Sequence, residues 1–121
     1  MNRLLIFILL FNIPLAAATV NEQDLKILGR ALANYQLCSD ISVELDDKAM
    51  FNYYSEMYKY SLLQVSTYSH NDAEIVSEEQ QRSMLKLAKI DRKSLGGLCL
   101  SRFDLLSRKM QENKLAAKQS R

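Results

Sequence analysis

Asn21-Glu22-Gln23-Asp24-Leu25-Lys26-Ile27-Leu28-Gly29-Arg30-Ala31-Leu32-Ala33-Asn34-Tyr35-Gln36-Leu37-Cys38 is the stretch that decides the fold class of this chain. Leu25, Leu28, Leu32, Tyr35 and Cys38 follow one another in steps of three and four, the spacing that lines up one apolar stripe on a helix. Asn21 is placed to cap it, and Glu22 and Asp24 put carboxylates where the first-turn N–H groups favour negative charge. The pattern predicts a helix from about Glu22 to Ile41, carrying a cysteine near its end.

Three further segments carry the same period. The second runs from about Asp47 to Ser69, capped by Asp46 or Asp47, with Phe51, Tyr54, Tyr58, Leu62 and Val65 as its inner face. Ser77-Glu78-Glu79-Gln80 reads as a capping box opening a third helix, followed by Met84, Leu85, Leu87 and Ala88. The fourth runs from Ser94 or Leu98 to about Lys114, with Cys99, Phe103, Leu106 and Met110 on one stripe. Gly96-Gly97 either breaks the chain between helices three and four or sits in the fourth helix's first turn. After Pro14 the chain has no proline, and its glycines are confined to Gly29, Gly96 and Gly97. Regularly spaced turn signals for many short strands are lacking. The fold class is therefore all-α. Four helices with short connections imply a small up-down-up-down bundle with antiparallel neighbours.

That topology brings the two cysteines together. Cys38 lies near the end of helix one and Cys99 near the start of helix four, which share a pole of such a bundle. A structural disulfide between them is the expectation, and a loop of that length makes it worth roughly 4 kcal/mol on the loop-entropy model. The spacing offers no C-x-x-C motif for a redox-active pair.

The beginning of the chain has the three parts of a secretory leader. Arg3 is the positive start, Leu4 to Leu15 a nearly unbroken apolar run, and Ala16-Ala17-Ala18 the small residues where a peptidase cuts. A run of about 12 residues is short of the roughly 20 that span a bilayer. Residues 1–18 are read as a signal peptide and 19–121 as one helical domain, with 115–121 as a frayed tail. The expected location is the periplasm or the outside of the cell, with no transmembrane span once the leader is removed.

The search for chemistry returns mostly negatives. His70 is the only histidine, in what reads as a polar loop Ser69-His70-Asn71-Asp72, so a histidine-built metal site is excluded. No phosphate-binding glycine loop, haem-attachment motif or nucleophile elbow is present, and no cofactor is implied. Asp46-Asp47 and Glu78-Glu79 are adjacent carboxylates, but neighbours on a helix point apart and both pairs sit where caps belong. The expectation is a protein that is not an enzyme.

Two features exceed what a plain bundle needs. Met50, Tyr53, Met57 and Tyr60 form a second stripe on helix two, rotated by about 100° from the first. Tyrosine and methionine suit partner surfaces, one through its polar tip and the other through its adaptable shape. Charge is also segregated. Residues 19–81 hold 11 acids and four bases, whereas residues 82–121 hold 11 bases and three acids. Arg82, Lys86 and Lys89 recur at helical spacing along helix three. They either pair with the acidic first half or form a basic patch for an acidic partner. Nucleic acid is excluded by the low overall charge and the lack of any recognition motif.

These features predict an exported binding protein that acts through protein–protein contact, most concretely an immunity or inhibitor protein against a secreted toxin. Its contact residues would be Met50, Tyr53, Met57, Tyr60, Arg82, Lys86 and Lys89, and its partner a toxin, an envelope protein or a second copy of the chain. The alternative is a carrier of an apolar small molecule or lipid, in which the same tyrosines and methionines line a cavity.

Overall fold

The computed structural model describes residues 20–119. The expected leader, residues 1–18, and its expected cut before residue 19 lie outside the described residues, as do Ser120 and Arg121. Four helices follow one another: α1 (Glu22–Glu44), α2 (Lys48–Val65), α3 (His70–Leu87) and α4 (Arg92–Gln119). The up-down-up-down order is legible from individual contacts. Cys38 late in α1 meets Cys99 early in α4, and Glu44 meets Arg92, so α4 sets out from the end of α1 and runs back. Gly29 lies against Val76 and Glu79, while Gln36 bonds Gln80, so α1 and α3 rise together.

Short polar devices set the helix ends. Asn21 Oδ1 accepts from the Asp24 amide at 2.9 Å, and Asp47 Oδ1 accepts from the Met50 amide at 3.1 Å. Asp46 holds a positive φ of 52°, the left-handed turn that reverses the chain between α1 and α2. The boundaries on either side of the α2–α3 connection differ from the sequence reading. α2 stops at Val65, and Ser69 caps α3 by accepting from the Asp72 amide. The expected loop Ser69–Asp72 is thus a cap and a first helical turn, and Ser77–Gln80 lies inside α3 rather than opening it. The cause is visible in packing: Val76, ahead of Ser77, is already on the buried stripe of α3. Gly96-Gly97 sits within the early turns of α4, because Asp91 starts that helix by accepting from the Ser94 amide and hydroxyl. α4 extends past Lys114 through Gln119, and Leu115-Ala116-Ala117-Lys118-Gln119 are all good helix formers.

α1 is the hub. The other three helices each pack on it, and of those three only α2 and α4 approach one another closely. The interior accordingly divides in two along α1. One core joins Leu37, Cys38 and Ile41 of α1 with Met50 and Tyr54 of α2 and Leu95 and Cys99 of α4. The other joins Leu25 and Leu32 of α1 with Val76 of α3, flanked by Tyr58 and Val65 of α2. No described residue of α4 beyond Phe103 belongs to either core. The Cys38–Cys99 disulfide, with its Cα atoms 5.5 Å apart, pins α4 to α1 where their contact is narrow. Among the described residues no helix is long and apolar enough to cross a membrane.

The parallel contact of α1 with α3 depends on Gly29. A Cβ built there would stand 2.6 Å from the Val76 carbonyl oxygen and 2.8 Å from the Glu79 Cβ, closer than real Cβ atoms come. Only glycine lets the two backbones approach this far.

Candidate functional site

The second stripe of α2 divides along its length. Met50, at 0% exposure, is a core residue beside Tyr54, which corrects its assignment to a contact surface. The inner face of α2 is centred on Met50, Tyr54 and Tyr58, spaced at four, and Phe51, expected to point inward, is 39% exposed. The physical reason is that α4 packs against this side of α2. Tyr53 is half-buried, its ring 5.1 Å from Tyr54 in an edge-on contact and 5.6 Å from Phe103 of α4. Met57 is also half-buried, and of the four only Tyr60 is well exposed, at 66%. Its surroundings continue the exposure, since Leu62 and the 64% exposed Leu63 lie on the outer side of the same two turns.

Tyr54 ties α2 to α4 through polarity as well as packing. Its hydroxyl donates to the Cys99 carbonyl oxygen at 2.6 Å, next to the disulfide. Burial pushes its pKa up to about 12, partly offset by the Arg102 guanidinium and reinforced by the neighbouring Tyr53 and Tyr35. Tyr53 is raised in the same direction, by burial first and then by Tyr35, with Arg102 again opposing.

Charge is organised around a carboxylate that sequence reasoning assigned to a cap. Glu79 is buried in the middle of α3 and accepts from Arg30 of α1 at 3.3 Å and from Arg82 at 2.7 Å. Its place between Val76 and Ser83 on the inner stripe was the available signal. Arg82 therefore combines an internal role with an exposed guanidinium. Lys86 and Lys89 are exposed and form no ion pair with any described residue. Among the described residues the acidic and basic halves meet at Arg82–Glu79 within α3 and at Arg92–Glu44 between helices, while Arg30–Glu79 joins two residues of the acidic half. Internal pairing thus accounts for part of the segregated charge and leaves the lysines of α3 facing solvent.

Because α2 and α3 stay apart, an open groove of about 730 Å³ runs between them. Gln36 of α1 forms its floor, where Gln80 Nε2 donates to Gln36 Oε1 at 3.0 Å and to the Tyr58 hydroxyl at 3.2 Å. Met84, Leu85 and Ala88 make its apolar rim. The other polar candidates are dispersed. His70 is exposed on the first turn of α3, Asp47 is used as a cap, and Glu78 points to solvent while Glu79 points inward. Among the described residues no three side chains of metal-binding type converge. Comparison of the chain with protein-family models, with curated proteins and with solved structures returns no match.

Proposed function

We propose that this is an exported binding protein that acts by occupying a protein partner, with an immunity or inhibitor protein against a secreted toxin as the concrete form. The observation that carries the reading is the outer surface of α2. Tyr60, Leu62 and Leu63 stand in solvent although Met50 and Tyr54 already complete the inner face of that helix. Adjoining large apolar side chains on an outer helix face are what interaction surfaces retain. A tyrosine among leucines is a typical anchor for such a contact. The buried Cys38–Cys99 bond agrees with export, since structural disulfides persist in oxidising compartments. Lys86 and Lys89 supply unpaired charge that would speed encounter with an acidic partner.

The carrier reading has less support. A ligand chamber inside the bundle needs walls that expose surface to it, and Met50 and Tyr54 expose none. The test is a photo-crosslinking residue placed at Tyr60 of the disulfide-bonded protein in periplasmic extract, followed by binding measurements with the captured partner. Tyr60→Ala and Leu63→Ala should each weaken that binding by at least about tenfold, as truncating an interface anchor does. Their unfolding midpoints should stay close to the parent's, as for other surface substitutions. Loss of stability with binding per folded molecule intact would refute this surface.

A further inference from the structure

The floor of the groove between α2 and α3 holds more hydrogen-bonding capacity than it uses. Gln80 Nε2 spends its hydrogens there, on Gln36 Oε1 at 3.0 Å and on the Tyr58 hydroxyl at 3.2 Å. Three groups are left over: Gln80 Oε1 as an acceptor, Gln36 Nε2 as a donor, and the Tyr58 hydroxyl hydrogen, since that oxygen accepts from Gln80. No other described residue uses them. Both glutamines are half-buried, yet neither leftover amide atom is shut away from solvent, so both are presented to the groove that these side chains line. α1, α2 and α3 each supply one member of this relay, and the bonds between the members fix which way each amide points.

The walls continue the same chemistry. Ser77 and Gln81, both exposed, add a hydroxyl and an amide on the α3 side, and Met84 and Leu85 follow as apolar surface. Every residue lining the groove is uncharged, although α3 carries Glu78, Glu79, Arg82 and Lys86 over the same turns. The volume, about 730 Å³, lies within the range of small-molecule sites, roughly 300–1,000 Å³. A ligand complementary to these walls is uncharged, donates and accepts several hydrogen bonds, and carries apolar surface of its own.

We infer that this groove binds a short uncharged oligosaccharide, whose hydroxyl and acetamido groups complete the Gln36–Gln80–Tyr58 relay while its C–H faces rest on Met84 and Leu85. Both group types donate and accept, as the floor demands. The competing occupants each fail on a wall property. An acyl chain, or the apolar face of a partner helix, would strip water from the leftover amide groups and give them no bond in return. A charged ligand finds no opposite charge on the walls. An extended peptide is held by the backbone of a sheet edge, whereas the walls here are helices whose backbone groups are spent internally. The groove is a separate site from the outer face of α2, and neither reading depends on the other.

The probes are tri-N-acetylchitotriose and maltotriose, titrated into the full disulfide-bonded protein and followed through the glutamine side-chain amide signals in nitrogen–proton correlation NMR spectra. At least one of them should shift the Gln36 and Gln80 signals saturably. Gln36→Leu and Tyr58→Phe should each weaken that binding by about three- to tenfold, as loss of one hydrogen bond does. Gln80→Leu, which removes the centre of the relay, should weaken it further, and Tyr60→Ala should leave it unchanged. Circular dichroism verifies that each variant is folded; if Gln80→Leu is not, the amide signals of the parent still decide. A neutral naphthylamine dye, run in parallel, tests for an apolar ligand. The assignment is overturned if neither sugar gives a saturable shift, or if a sugar binds while the Gln36 and Gln80 signals stay in place. Full affinity in a folded Gln80→Leu variant would overturn it too, as would dye bound in the groove that the sugars do not displace.

Discussion

Replacing Gly29 by alanine separates tertiary packing from helix propensity in this protein by the sign of its effect. In an ordinary helix interior, glycine to alanine stabilises by about 1 kcal/mol, since glycine loses the most backbone freedom on folding. At Gly29 the added methyl would stand 2.6 Å from a backbone oxygen of α3, and ordinary contact begins near 3.4 Å. To restore it α3 must retreat by roughly 0.8 Å, and a gap of that size forfeits a quarter to a half of each dispersion contact across the interface. Those contacts hold Leu25, Leu32 and Val76 in one core and keep Glu79 within reach of Arg30. Overpacking of this kind costs about 1–3 kcal/mol, so after the propensity gain the net loss is about 0–2 kcal/mol. For a domain near this size that lowers Tm by roughly 4–8 °C per kcal/mol. Gly97→Ala is the matched control, because a Cβ there meets nothing within 4 Å and the residue lies inside α4 with negative φ. Urea and thermal unfolding of both variants should show Gly97→Ala more stable than the parent and Gly29→Ala less. Equal stabilisation by the two would refute the close α1–α3 packing.

Two further outcomes are expected. Cys38→Ala with Cys99→Ala, or reduction, should lower stability by roughly 4 kcal/mol on the loop-entropy model, while the untreated protein yields no thiol to a labelling reagent until a reductant is added. Tyr54 holds its proton more tightly folded, near 12, than unfolded, near 10, so the native state binds more protons between those values and stability falls as pH rises through that window; the loss is on the order of 2 kcal/mol. Tyr54→Phe should flatten that alkaline fall, read by unfolding at successive pH values, and should itself lower neutral-pH stability by about 0.5–1.5 kcal/mol through the lost hydrogen bond to Cys99, whose carbonyl keeps its helical partner.

The candidate surface was legible only in part, for a reason visible on α2. Periodicity identified two stripes there, Phe51–Tyr54–Tyr58–Leu62–Val65 read as the inner face and Met50–Tyr53–Met57–Tyr60 as the second, and could not place Met50 inside and Phe51 outside, because both stripes are apolar at helical spacing. The rank was set by the helices that cover α2: α1 buries Met50 and Tyr54, and Phe103 of α4 half-covers Tyr53. Glu79 illustrates the same limit for charge. A carboxylate just after a serine reads locally as a first-turn acid beside a cap, and only the arrival of Arg30 from α1 turns it into a buried ion-pair centre.

By itself the sequence determined what depends on neighbours along the chain: four amphipathic helices, the Asn21 and Asp47 caps, and the pole at which Cys38 and Cys99 meet. Backbone hydrogen bonding, capping and period are local, and the short connections force the alternation of direction that brings the cysteines together. The tertiary structure alone decided how far apart the helices stand. α1 became the hub because Gly29 admits α3 at backbone distance, and the helices packed on it leave a groove between α2 and α3 and Tyr60 facing outward. Those distances are fixed by steric fit between residues 40 to 60 positions apart, which no periodicity along one helix records.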